Sequence, residues 1–499
     1  MSNQTKYELY KNHLERIADV RYSGAVLNWD QEVNMPKKGA AQRGRQLATL
    51  AGIAHELSVS EELGALLEDL VNANDLGAVQ LKNVQESYQD YTKQKKYSKA
   101  FVEKMSMTIT KAFHAWNAAK KESNFALFQQ DLSDLVDIKL EEAELLGYEN
   151  HPYNALLDQY EPGATVAFLD PLFEGVKTNC VRLLEKVNSK QQPVIPFKGK
   201  KFDKDAQWPI GIKLLEQMQY DFEAGRQDLS SHPFTTNFGS LDVRVTTRIN
   251  EDDPLDMISS CIHEGGHALY EQGLLPENYG LPSGEYISLG VHESQSRLWE
   301  NNVGRSLEFW QCNFPLMQQY FPKEMEGCTA QDVFHSANEV TPSLIRIQAD
   351  ELTYHFHILI RYEIEKAILT KSVKVADLPA LWNELYLKYL GVKVPSDAQG
   401  VLQDIHWSHG SFGYFPTYSL GSFYAAQYFN QAEKEISGLK SMIKAGNLLP
   451  LKQWLNQNIH QYGKQYSADE LCRKVTGESL NVAVFMQYME EKLGRVYGF

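Results

Sequence analysis

No segment of this 499-residue chain approaches the roughly 20 consecutive apolar residues that a helix needs to cross a bilayer, so the sequence predicts no membrane partner. Positive charge is also scarce. Lys and Arg number 49 against 64 Asp and Glu, a net −15, and no basic run is dense enough to follow a phosphate backbone, which argues against nucleic acid as a partner. Cys180, Cys261, Cys312, Cys328 and Cys472 are odd in number, scattered and without a CxxC pair. That pattern suits reduced thiols in a core better than a disulfide frame or a thiolate metal site. The N-terminus, MSNQTKYELYKNHLERIADVRY, carries charges throughout and lacks the apolar centre of a signal peptide, so the expected compartment is the cytoplasm. What is present is a 43% apolar content, ample for a buried core.

Apolar residues recur at three and four over Leu47–Leu57, Phe128–Leu146 and Leu344–Leu369, which predicts a mainly α fold. There is no internal repeat. The polar, proline-punctuated segment 188–208 reads as a connection between approximate lobes, an N-terminal helical lobe over 1–190 and a second lobe over 209–499, within one unit over 1–499. One stretch departs from helical periodicity. After His232-Pro233-Phe234, the run Leu241–Ile249 alternates β-branched and polar residues beyond an Asn237–Ser240 turn, predicting a small β-hairpin. In it Arg244, Thr246 and Arg248 share one face, and an edge strand there would suit the backbone of an extended peptide. His232 and Asp242 are candidates for orienting metal ligands from behind; turn capping by Asp242 is an equal alternative.

The chemistry is concentrated just downstream. Asp253 and Pro254 open a helix of about five turns that closes on Gly273. His263 and His267 stand four apart on it, so both imidazoles can hold one Zn²⁺. Glu264, one residue after the first histidine, is placed to accept a proton from water beside the metal. Gly265 and Gly266 each cost about 1 kcal/mol against Ala inside a helix, which implies close approach by backbone or substrate. A catalytic site needs a third protein ligand. The segment Tyr286–Asn302 reads as a second helix, ending at Gly304, that offers His292, Glu293 and Glu300. Glu293 completes a two-His, one-Glu set; His292 is the alternative.

Six motifs in order resemble the HExxH metallocarboxypeptidases of the carboxypeptidase Taq type: HPF at 232–234, DVRVT at 242–246, HEGGH at 263–267, HESQ at 292–295, IRIQAD at 345–350 and GVLQDIHW at 400–407. Leu27–Glu32 and the following QLATLAGIAHE also look like that family's N-terminus, so the resemblance spans nearly the whole chain. It implies a helical, zincin-like (gluzincin) homodimer with a deep groove, which removes single residues from the C-termini of unstructured peptides with broad specificity. It also implies metal ligation by the residues matching His263, His267 and Glu293, catalysis by the one matching Glu264, and zinc as the metal, with Co²⁺ a possible substitute.

An enzyme of this kind must recognise a free carboxylate, for which the planar fork of Arg is suited. Arg346 is the leading candidate, on an expected long helix where Arg346, Asp350, Thr353, His357 and Arg361 recur at three and four. The segment Gln403–Gly421 gathers His406, His409, Tyr414 and Tyr418 among glycines, which suggests a mobile loop. His406 and one of Tyr414 and Tyr418 are candidates to stabilise the oxyanion of peptide hydrolysis. Two rival readings remain, an endo-acting zinc oligopeptidase and a peptide-binding protein with structural zinc. The second leaves Glu264 without a role.

Overall fold

The computed structural model describes all 499 residues. Twenty α-helices surround a single three-stranded sheet, so the expected mainly α architecture is realised. The sheet has the order β1–β3–β2, with β1 (Gly225–Leu229) parallel and β2 (Thr235–Asn237) antiparallel to the central β3 (Val243–Thr247). The hairpin of β2 and β3 turns where the sequence places it. Strand β1 was not expected, because Gly225–Leu229 reads GRQDL and carries no β-branched residue. On β3 the side chains of Val243 and Val245 are buried, and the Thr247 hydroxyl lies 2.7 Å from that of Ser260 on the helix Pro254–Gln272. The sheet is thereby fastened along the helix that carries His263 and His267.

Buried apolar residues form two separate cores. The larger runs from Phe101 to Tyr497 and includes Ile195, Phe197 and Phe202 from the connecting segment around 188–208. The smaller joins Tyr7, Tyr10, Ile17, Leu63, Leu67, Leu70, Val84 and Tyr91 from the N-terminal helices with Leu281. Polar ties reinforce that junction. Tyr279 donates to Asp19 at 2.9 Å, the Ser283 N–H donates to Asn83 at 2.8 Å, and Glu285 pairs with Lys464 at 2.8 Å and Arg21 at 3.5 Å.

Two expected elements are corrected. The helix foreseen over Leu344–Leu369 spans only Tyr354–Leu369. Arg346 lies instead in a 3₁₀ turn, Arg346–Gln348, because the Asp350 carboxylate accepts the N–H groups of Leu352 and Thr353 at 3.0 and 2.9 Å and competes with helical pairing. The segment Gln403–Gly421 is a buried, pinned element and not an open loop. It forms a 3₁₀ turn, His406–His409, and the start of a helix, Pro416–Glu435. Buried Glu365 receives hydrogen bonds from Tyr153, from the Trp407 indole at 2.9 Å and from the Gly413 N–H at 3.0 Å.

Candidate metal and catalytic site

The helix Pro254–Gln272 begins with the Asp253 side chain accepting the Leu255 N–H at 3.0 Å and Pro254 in its first turn. Its two glycines answer to packing. A Cβ on Gly266 would come within 2.6 Å of Ser296 Cα and 2.7 Å of the Gln295 carbonyl oxygen, and one on Gly265 within 2.7 Å of Leu215. The missing side chains let the metal helix touch the backbone of the helix Leu289–Arg297, which carries Glu293. Gly421 does the same from the other side, where a Cβ would meet Glu293 Cγ at 2.4 Å.

That approach brings one oxygen of Glu293 within 3.3 Å of His267 Nε2 and 3.7 Å of His263 Nε2. Donor atoms of His263, His267 and Glu293 all lie within 4.8 Å of one another. Bonds of about 2.0–2.2 Å in a tetrahedral site separate neighbouring donors by roughly 3.3 Å, so the set fits one zinc-sized ion and leaves a fourth position for water or substrate. His292 is engaged elsewhere: its Nε2 donates to Glu271 at 2.8 Å while its ring stacks on His267 at 4.5 Å. Glu293 is only 7% exposed and so is not a surface acid.

Groups behind the three donors fix their orientation and charge. His263 Nδ1 donates to Glu300 at 2.8 Å, which leaves Nε2 for the metal. Glu300 also accepts from Arg305 at 2.7 Å and Arg297 at 3.2 Å, and Arg297 donates to the other oxygen of Glu293 at 2.7 Å. Burial pushes the Glu293 carboxyl upward, but Arg297 and the two imidazoles outweigh it and hold it well below the usual carboxylate range. Burial, with His292 nearby, lowers His267 to about 3, keeping it the neutral imidazole that ligation requires. The chain places Glu300 seven residues beyond Glu293 by passing from α-helix into a π-helical stretch, Leu298–Gly304, a local winding often found at functional sites. The expected second helix therefore starts later, at Leu289, and reaches its expected end at Gly304 in π-helical winding.

Glu264 is 8% exposed, and burial raises its carboxyl pKa, opposed by His263 and by a hydrogen bond from Thr235. Thr235 lies on β2, and its hydroxyl is 2.6 Å from Glu264 Oε2. The sequence reading passed over Thr235, which directly follows HPF.

A second cluster centres on Asp404. Arg346 contributes Nε and Nη2 to one carboxylate oxygen at 3.0 and 2.9 Å, Arg361 pairs with the other, and Arg346 Nη1 donates to Tyr354 at 3.1 Å. Two guanidinium charges thus face one carboxylate, and one N–H remains on each terminal nitrogen of Arg346. Tyr354 in turn lies under Arg297, with 4.8 Å between that guanidinium and its ring. Arg346 sits 4.9 Å over the ring of Tyr418, whose hydroxyl meets His406 Nε2 at 3.1 Å, and the rings of Tyr414 and Tyr418 are 5.2 Å apart. Burial lowers His406 to about 3, so it is a neutral imidazole and not the imidazolium that oxyanion binding would favour most. Burial raises Tyr418 far above the ordinary phenol range, so it keeps its proton. His409 stands apart, exposed, with its ring 5.1 Å from that of Phe113.

The hairpin residues divide. Arg244 pairs with Asp242 at 2.8 Å and covers the buried Trp29 ring at 4.4 Å, tying the first helix to the sheet. His232 is exposed, and neither it nor Asp242 hydrogen-bonds to His263, His267 or Glu293. The side chains that do hydrogen-bond to His263 and Glu293 include Glu300 and Arg297.

Residues 9–493 match the family model described as carboxypeptidase Taq (M32) metallopeptidase. Carboxypeptidase 1 of Bacillus subtilis is 38% identical over 97% of this chain and 97% of its own length. Thermostable carboxypeptidase 1 of Thermus thermophilus is 38% identical over 98% of this chain and 99% of its own. The crystal structure of an M32 carboxypeptidase from Deinococcus radiodurans superposes with a TM-score of 0.97 at 35% identity, covering 99% of this chain and 100% of that one.

Proposed function

This chain belongs to the carboxypeptidase Taq (M32) metallopeptidase family, and from that premise we propose a zinc enzyme that releases amino acids one at a time from the free C-termini of unstructured peptides, with little regard to side chain. Metallocarboxypeptidase activity follows from the family. The observation that carries the finer reading is the meeting of a two-His, one-Glu donor set with a second carboxylate, Glu264, beside it.

Zn²⁺ held by His263, His267 and Glu293 would acidify a water molecule and polarise the scissile carbonyl. Glu264 takes the proton of the attacking water and returns it to the leaving amine. Tyr418 or Tyr414, with His406, donates a hydrogen bond to the carbonyl oxygen as negative charge develops there. Arg346 binds the terminal carboxylate through its two remaining N–H groups, and the surplus positive charge of the Arg346–Arg361–Asp404 cluster favours an anion. Recognition of a carboxylate and of main chain along the edge strand β2 supports tolerance of many side chains. The same reading includes a homodimer, a cytoplasmic location and Co²⁺ as a working substitute. No helix is long and apolar enough to cross a membrane.

The test is a time course of one unstructured free-acid peptide followed by mass spectrometry. Successive loss of single C-terminal residues is expected; internal fragments at early times would establish the endo-acting alternative.

A further inference from the structure

Resting on the assignment of Glu264 as general base, we infer that Thr235 is a positioning residue for the reaction, its hydroxyl holding one oxygen of that carboxylate and rotating as the proton moves. Two acceptors converge on one O–H. Thr235 Oγ1 lies 2.6 Å from Glu264 Oε2 and 3.0 Å from the backbone carbonyl oxygen of the same residue. A threonine hydroxyl has one proton and can also accept. While Glu264 is ionised, the hydroxyl donates to Oε2, which offsets part of the cost of burying the charge and leaves Oε1 to face the attacking water. Once Glu264 has taken the water proton on Oε1, Oε2 is a neutral and weaker acceptor, and the hydroxyl can turn its own proton to the backbone carbonyl oxygen. The Thr235 hydroxyl stays satisfied in both states and keeps its own proton: the water O–H breaks as the Glu264 Oε1–H forms, and that bond breaks as the amine N–H forms.

The placement of Thr235 is built into the sheet. Thr235 pairs with Val245 across β2 and β3. The neighbouring Thr246 hydroxyl accepts the Phe234 N–H at 2.9 Å, the Thr246 N–H donates to the Phe234 carbonyl at 2.9 Å, and Ser230 donates to Thr246 at 2.7 Å. Thr246 is 1% exposed, so this clamp is fixed in the interior. Its β-branch restricts Thr235 to few rotamers, which aims the hydroxyl at Glu264. The clamp gives the motif DVRVT a task at the active site that its sequence does not announce.

Three variants, Thr235→Val, Thr235→Ser and Glu264→Gln, would be compared with the wild-type zinc enzyme for kcat, KM, zinc content and thermal unfolding. Val keeps the shape and removes the hydroxyl. Its expected effect is a loss of about 10- to 100-fold in kcat, with KM, zinc content and unfolding temperature little changed, and recovery of most of the loss in Thr235→Ser. Wild-type kcat in Thr235→Val, or a loss that Ser fails to recover, would overturn the positioning role while a dead Glu264→Gln left the base assignment standing. An active Glu264→Gln would overturn the base assignment itself, and with it this inference.

Discussion

The proposed mechanism gives opposite tasks to two carboxylates on neighbouring helices, and their surroundings separate them. Glu293 faces Arg297 and two imidazoles and stays charged; Glu264 is buried, and burial outweighs the help of His263 and Thr235, so its proton affinity rises. A general base needs raised affinity, and a metal ligand needs the reverse. Substituting Glu264→Gln is therefore expected to leave metal content at the wild-type level while turnover falls about 10²- to 10⁴-fold, by atomic absorption and peptide assay on the same sample. Glu300 supports the metal by another route. With Glu300→Gln, His263 loses a charged acceptor, and metal affinity measured by chelator competition should fall about 10- to 100-fold. An unchanged affinity would remove Glu300 from the site. At this scale the sequence is most readable: spacing alone puts His263 and His267 on one face with Glu264 beside it, and a following Glu completes the donor set. The sequence offers Glu300 only as a candidate ligand, and its contact with His263, like that of Thr235 with Glu264, is not legible because the partners lie 37 and 29 residues apart and no local period reports such contacts.

The elements show where periodicity helped and where it failed. The metal helix appeared as read, because Asp253, Pro254 and Gly273 mark its ends by local chemistry. The stripe Arg346 to Arg361 was misread as one helix. Asp350 diverts the backbone before Tyr354, and Arg346 and Arg361 meet through Asp404 instead of through helical spacing. Likewise Gly413 and Gly421 serve close packing, and Gly410 caps a 3₁₀ turn at positive φ. A Cβ on Gly413 would lie 2.8 Å from the Leu156 backbone. Gly266 offers the cleanest test of packing as the cause of the site. Gly266→Ala should force apart the helices bearing His267 and Glu293, costing about 1–3 kcal/mol of stability in urea unfolding together with a weaker metal site. Wild-type values for both would mean that the two helices are not held by their contact at Gly266.

Across the whole molecule, the N-terminal helices with their own small core reach the main body through Leu281 and the polar contacts of Asp19, Arg21 and Asn83. That partition was not legible, because the sequence shows amphipathic helices without saying which faces meet. The main body buries neutral histidines remote from any ligand role. Burial lowers His355 and His460 to about 3, so the unfolded chain binds more protons than the folded one between that value and the ordinary 6.5. Stability is thus complete above about pH 6.5 and is lost as pH falls, by up to roughly 1.4 kcal/mol per pH unit for each histidine. Urea midpoints at pH 7.5 and 5.5 should differ in that direction; equal midpoints would contradict the burial of neutral imidazoles.

The central claim is that hydrolysis starts from a free C-terminus, and a matched pair of peptides tests it most directly. One peptide carries a terminal carboxylate and the other a terminal amide, each incubated with the zinc enzyme and followed by mass spectrometry. The account predicts stepwise shortening of the acid and an intact amide, since Arg346 has no charge to grip in the latter. Cleavage of both at comparable rates would contradict it.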